Sequence, residues 1–197
     1  MKVAPPGTSS GGPPPPGEGG GRWVATTAQG PWLACGAYHL DHRGRLDERA
    51  RRLSHEELAV AEMLTAGGHR VRSLPESRRG GRRPDLEVCG TLVEIKSFLP
   101  IEERGRAPSP QSVFNKLVDA AGQAGTVVLW GRGSGLTEAT VRSGLARLAA
   151  DGRAATPTAV RAVGDGFDLS WVRRPPLSHR LAAGVPHARP RGPGMGL

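Results

Sequence analysis

The residues best suited to chemistry lie in the stretch RPDLEVCGTLVEIKS, residues 83–97, where Asp85 follows a proline and Glu94 and Lys96 end an apolar run. The 27 basic residues of the chain comprise 24 arginines and only three lysines. If the two carboxylates lie within a few ångströms, a proton, a cation or a metal must relieve their repulsion. Two carboxylates and a backbone carbonyl, such as that of Ile95, suit Mg²⁺ or Mn²⁺. A lysine beside them could orient or deprotonate an attacking water.

A β-hairpin is needed to bring these groups together. Side chains alternate along a strand, so Glu94 and Lys96 share one face while their apolar neighbours enter the core. A tight turn at Cys89 and Gly90 would pair the strand DLEV antiparallel with TLVEIKSF, which carries Asp85 to the same end of the sheet. The alternative is that the charged residues only form the solvated face of a strand.

The surrounding segments predict an α/β fold. Helices are indicated for SHEELAVAEMLTAGG, SPQSVFNKLVDAAGQAG and TEATVRSGLARLAADG, and strands for HRVRSL, TVVLWG, TAVRAV and FDLSW. Ser54 is a suitable N-cap for the first helix, with Glu57 three residues later. The predicted order of elements is αβββαβαββ, a mixed central sheet flanked by helices.

Composition divides the chain into a folded domain and two tails. Glycine and proline contribute 29 and 18 of the 197 residues, concentrated near both ends. We therefore predict a flexible Pro/Gly-rich N-terminal segment at 1–47, a domain at 48–172 and a basic, disordered C-terminal tail at 173–197. The domain is long enough to bury one hydrophobic core.

The charge of the chain favours a polyanionic partner. The formal net charge is +9 and the sequence pI is about 11. Six arginines fall within fourteen residues that contain one acid, Glu76: Arg70, Arg72, Arg78, Arg79, Arg82 and Arg83. Nucleic acid is the expected partner of such a cluster. An arginine-rich surface that reflects only a GC-rich genome is the alternative.

Other classes of protein are disfavoured. No apolar run approaches the roughly 18 residues of a membrane helix, and no secretory signal is visible, so we expect a soluble, cytoplasmic protein without membrane contact. Cys35 and Cys89 lack the spacing of a zinc site or a disulfide framework. The GRGSG stretch at 131–135 follows a strand but lacks the Lys-Ser/Thr of a phosphate-binding loop, which favours a simple turn.

Pro84-Asp85 followed by Glu94-x-Lys96, after a helix that carries Glu57, resembles the PD-(D/E)xK nuclease superfamily. The resemblance implies a restriction-endonuclease-like core and metal-dependent hydrolysis of phosphodiester bonds. It implies that Asp85 and Glu94 hold the metal with the Ile95 carbonyl and that Lys96 positions the nucleophile. Glu57 would complete the metal site, with Glu56 and Glu62 as less well phased candidates.

The segment SPQSVFNKLVDAAGQAGTVVL resembles the C-terminal nuclease domains of CdiA-type contact-dependent inhibition toxins, and the similarity extends over about residues 50–172. It implies that Gln123 reaches the scissile phosphate and that Asn115 or Lys116 contacts the nucleic-acid backbone. Arg78, Arg79, Arg82 and Arg83 would guide the backbone to the site. The implied substrate is tRNA and an immunity protein is an implied partner, with delivery to another cell as a further implication. A DNA endonuclease of the same fold and a non-catalytic nucleic-acid-binding module are the alternatives.

Overall fold

The computed structural model describes residues 22–27, 44–76, 82–152 and 156–174. They form an eight-stranded mixed sheet in the order β1-β8-β7-β6-β5-β4-β3-β2. The strands are β1 (Arg22–Thr27), β2 (Arg45–Asp47), β3 (Arg70–Ser73), β4 (Leu86–Val88), β5 (Thr91–Ser97), β6 (Thr126–Trp130), β7 (Ala159–Gly164) and β8 (Phe167–Arg174). The helices are α1 (His55–Ala66), α2 (Ile101–Arg104), α3 (Pro110–Ala121) and α4 (Glu138–Asp151). The predicted α/β class, a mixed sheet flanked by helices, is confirmed.

The predicted hairpin joins β4 and β5 through Cys89 and Gly90. Both turn residues have positive φ angles, 50° and 85°, the backbone conformation of a two-residue hairpin turn that twists with its strands. The antiparallel register pairs Leu86 with Val93. Continuing that register by one pair brings Asp85 opposite Glu94.

Two hydrophobic clusters cover the two faces of the sheet. On one face, α1 buries Val60, Ala61 and Leu64 against side chains of β3, β4 and β5. On the other, α3 and α4 pack against β6 and β7, and Leu117 and Leu145 are among their buried residues. The alternation predicted for β5 follows from this arrangement, because its apolar side chains face α1 while Glu94 and Lys96 lie on the α3 side.

Two strands extend the sheet beyond the elements predicted from sequence. β1 pairs antiparallel with β8, and β2 pairs parallel with β3. Both lie before residue 48, where composition placed the start of the folded domain, and β8 ends two residues after 172. The remainder of 1–47 and residues 175–197 lie outside the described residues. Both additional strands are short and lie at the edges of the sheet, so they lack the long apolar runs that identify central strands.

Helix α3 approaches helix α4 closely at Gly144. A Cβ atom added there would lie 2.5 Å from Cγ1 of Val113, which is closer than side-chain carbons pack. Gly144→Ala is therefore expected to lower the free energy of unfolding by about 1–3 kcal/mol, because α3 must shift away from α4. Urea unfolding followed by circular dichroism measures this change.

Gly122→Ala is the matched control, because a Cβ atom there would have no atom within 4 Å and the φ angle is −77°. It is expected to leave stability unchanged or to increase it slightly. If Gly144→Ala were as stable as this control, the close helix contact would not be a packing constraint.

Candidate active site

The structure brings Glu94, Lys96 and Asp85 together where β4 ends beside β5. The Lys96 Nζ atom lies 2.7 Å from Oε1 of Glu94, and the backbone N–H of Ile95 donates to Oδ2 of Asp85 at 2.8 Å. Glu94 is almost fully buried, with 3% of its surface exposed. The side chains that the sequence placed at one sheet end therefore form one connected cluster.

Helix α1 adds Glu57 to the cluster through an arginine. Ser54 and Glu57 form the predicted capping box, which fixes Glu57 in the first turn of the helix. The guanidinium of Arg51 donates to both oxygens of Glu57, at 2.6 and 2.8 Å, and to Oδ1 of Asp85 at 3.2 Å. Arg51 therefore joins the helical and strand carboxylates.

The three carboxylates crowd one another electrostatically. Burial, together with the neighbouring charges of Glu94 and Glu57, raises the pKa of Asp85 to about 7, although the Ile95 N–H opposes this shift. Burial also raises the pKa of Glu94, against the opposing effect of Lys96. Burial opposes ionisation of Glu57, but hydrogen bonds from Arg51 and the Ser54 backbone hold its pKa below the usual value. The Asp85 and Glu94 pair thus carries less positive charge than it could use.

Lys96 is held as a cation by acids on two sides. Its Nζ atom lies 2.8 Å from Oδ2 of Asp119 on α3, in addition to the contact with Glu94. Burial opposes the charged form, yet hydrogen bonds with Asp119 and Glu94 raise the pKa of Lys96 above its ordinary value. In this arrangement the ammonium donates hydrogen bonds and does not act as a base. Asp119 also contacts Arg82, so one carboxylate bridges two cations.

The other predicted site residues lie on both sides of the bridge between Lys96 and Asp119. Gln123 donates from Nε2 to the Asp119 carbonyl at 3.3 Å and lines a cleft of about 280 Å³ that also includes Arg82, Arg83 and Asp85. Arg78 and Arg79 lie outside the described residues.

Lys116 lines a second recess beyond Asp119. The recess measures about 340 Å³ and also contains Asn115 and Arg104. The Lys116 ammonium sits 5.1 Å from the centre of the Phe98 ring. Burial, and then repulsion from Lys96 and Arg104, lower the pKa of Lys116. An anion entering this recess would relieve that repulsion.

The donor atoms of the site were tested for a divalent metal. Among the residues that the structure describes, no group of three or more His, Cys, Asp and Glu side chains is arranged to hold a metal ion. Both oxygens of Glu57 accept hydrogen bonds from Arg51. Oε2 of Glu94, however, is buried without a hydrogen-bond partner. Two carboxylates, Asp85 and Glu94, with the neighbouring Ile95 backbone therefore match a small, oxygen-rich Mg²⁺ site that keeps several waters.

Sequence reasoning did not identify Arg51 and Asp119. Asp119 lies four residues before Gln123 on α3, so the helical repeat could have placed both on one face. Arg51 lies in the irregular stretch before α1 and has no periodic signal. Its contacts with residues 6 and 34 positions away depend on the folded chain.

Known proteins provide limited guidance. No family model matches the chain, and no curated protein matches its sequence. Among solved structures it is similar to a CdiA-CT/CdiI toxin and immunity complex from Burkholderia pseudomallei, at 13% sequence identity. That match has a TM-score of 0.42 and covers 66% of this chain and 98% of the other. Likeness at this level does not establish a shared activity.

Membrane insertion has no helical basis in the described part of the chain, where no helix is both long enough and apolar enough to span a bilayer. The longest helix there, α4, has 14 residues.

The raised pKa of Asp85 predicts how stability depends on pH. Unfolded Asp85 ionises near pH 4, whereas in the fold it keeps its proton to about 7. Its contribution to stability therefore falls as pH rises from about 4 to 7. Asp85→Asn is expected to reduce that slope and, near pH 8 in EDTA, to be more stable than the parent by about 1–3 kcal/mol.

Urea unfolding at about pH 5 and pH 8 tests this expectation. Glu102→Gln is the control, since it removes one negative charge from an exposed residue of α2. An Asp85→Asn variant with the same pH slope as this control would show that Asp85 is ionised in the fold at neutral pH.

Proposed function

We propose that the protein is a divalent-metal-dependent nuclease that hydrolyses phosphodiester bonds. The observation that carries the proposal is the buried pair Asp85 and Glu94 beside Lys96, with Oε2 of Glu94 unpaired. A buried carboxylate oxygen without a donor is costly, and crowded acids favour a bound cation. A lysine beside the pair provides the charge that phosphoryl chemistry requires.

Each residue has a distinct role in the proposed mechanism. Asp85 and Glu94 would hold Mg²⁺ or Mn²⁺ with the Ile95 carbonyl, and the ion would polarise the phosphodiester and lower the pKa of a bound water. The Lys96 ammonium orients the nucleophile and stabilises negative charge on the phosphate oxygens. Glu57 assists through Arg51, which keeps Asp85 in place.

The helix α3 side of the site would bind the substrate. Asp119 bridges Lys96 and Arg82, so a phosphate that binds these two cations takes over the position of that carboxylate. Gln123 then fixes the phosphate from the same helix face, and Lys116 contacts a neighbouring one. Arg83 lies in the adjoining cleft and extends the basic wall.

RNA is the proposed substrate, and tRNA in particular. The support is the sequence resemblance of the segment from Ser109 to Leu129 to the CdiA-type toxin nucleases, which also suggests an immunity protein as partner. DNA is the alternative substrate of the same chemistry.

A non-catalytic nucleic-acid-binding module is the second candidate function. It is favoured by the internal ion pairs, because Glu57 is satisfied by Arg51 and Lys96 by Glu94 and Asp119. In such a protein the charged cluster would stabilise the fold, and the basic surface would bind nucleic acid without cleaving it.

Purified tRNA and plasmid DNA, incubated with and without Mg²⁺, test the activity. We expect Mg²⁺-dependent cleavage of tRNA and at least a ~100-fold loss of rate in Glu94→Gln and Lys96→Met, because metal binding and charge stabilisation are lost. Circular dichroism of each variant confirms that the fold is retained.

Glu102→Gln serves again as the charge-matched control and is expected to cleave at the parental rate. Preferred cleavage of plasmid would replace the RNA substrate by DNA. Binding without cleavage of either nucleic acid in the parent protein would reject the nuclease and favour the module.

A further inference from the structure

One half of the sheet lacks a helical cover on the face that holds Glu94 and Lys96. On this face α3 packs on β5 and β6, and α4 packs on β7 and β1. Beyond α3 the face continues over β4, β3 and β2, where Leu92 is 47% exposed and Arg70 and Arg72 are exposed. Within the described residues, this half of the sheet is therefore an open surface next to the proposed site.

Strand register places basic residues in ordered rows on this surface. Arg45 is paired with Arg70, and the next row on the same face pairs Asp47 with Arg72. Arg72 in turn is paired with Glu87 on β4.

These rows lead directly to the carboxylates of the site. The row of Asp85 and Glu94 lies two residues beyond that of Arg72, about 7 Å along the strands, and four beyond that of Arg70, about 13 Å. At 3.4 Å per base pair, about 13 Å corresponds to roughly four steps of a duplex.

The charges on this surface are unbalanced. Arg49 makes a two-pronged contact with Asp47, at 2.9 and 2.6 Å, and Arg72 contacts Glu87 at 2.6 Å. Four arginines and two acids line the same depression of about 470 Å³: Arg45, Arg49, Arg70, Arg72, Asp47 and Glu87. The local excess of two positive charges lies on Arg45 and Arg70, whose side chains are exposed.

We propose that this arginine face, the surface formed by Arg45, Arg49, Arg70 and Arg72, binds the nucleic-acid backbone on one side of the cleaved bond. The inference rests on the proposed nuclease function and adds a second contact region to it. Guanidinium groups bind phosphate through two parallel hydrogen bonds, and they do so in any nucleotide sequence.

The composition of the face favours nucleic acid over a protein partner. Protein interfaces centre on buried aromatic anchors surrounded by a polar rim. The lining of this depression contains no aromatic residue, and its uncharged members are Val71, Cys89 and Gly90. Paired arginines spaced along strands suit a polyanion whose charges repeat at regular intervals.

Equilibrium binding in EDTA, where the proposed metal-dependent cleavage cannot occur, tests the proposal on the full chain. The probes are purified tRNA and a short DNA duplex, titrated at several salt concentrations. Arg45→Gln/Arg70→Gln is expected to weaken binding about tenfold or more, because two charge-assisted contacts are lost. The slope of log K against log salt should fall by about 2, or about 1 for each phosphate contact.

Arg142→Gln/Arg147→Gln is the control, because it removes the same charge from exposed residues of α4, beyond α3 from the arginine face. Arg45→Lys/Arg70→Lys retains the charge and is expected to keep the parental salt slope, which separates lost charge from a damaged fold. The proposal is overturned if the glutamine variant binds like the α4 control, the outcome expected of a protein-binding face. Lack of cleavage by the parent would reject only the nuclease, since binding is measured independently of cleavage.

Discussion

The site depends on the burial of two carboxylates at the open end of one hairpin. Asp85 and Glu94 face each other there because the Cys89-Gly90 turn fixes the register of β4 and β5. Burial makes their repulsion expensive, and it raises the pKa of both groups. Every other charged residue of the cluster can be understood as a response to this cost, whether it supplies a positive charge or holds one in place.

The positive charges come from two layers of the fold. Arg51 approaches from the α1 side and joins Glu57 to Asp85, whereas Lys96 projects toward α3 and joins Glu94 to Asp119. Each acid that receives an internal partner is stabilised, and Oε2 of Glu94 remains without one. A site of this kind can be stable without a ligand and still retain one position that favours a cation.

The hairpin, the three long helices and the alternation of β5 could be predicted because each has a local signal. Ser54 with Glu57 identifies a helix start, and Cys89-Gly90 between two apolar runs identifies a tight turn. β1 and β2 could not be predicted, since edge strands gain their stability from pairing with distant partners such as β8. For the same reason Arg51 was missed, because its partner Asp85 is 34 residues away.

The close contact at Gly144 bears on how the cleft accommodates a bulky polymer. Because Val113 fits against a residue without a side chain, α3 is anchored on α4 over its N-terminal half. The wall that carries Lys116, Asp119 and Gln123 is therefore rigid, as a template must be. Any widening has to come from the opposite wall, where residues 82–84 connect to the hairpin. The enclosure is thus asymmetric, with one fixed jaw and one adjustable jaw.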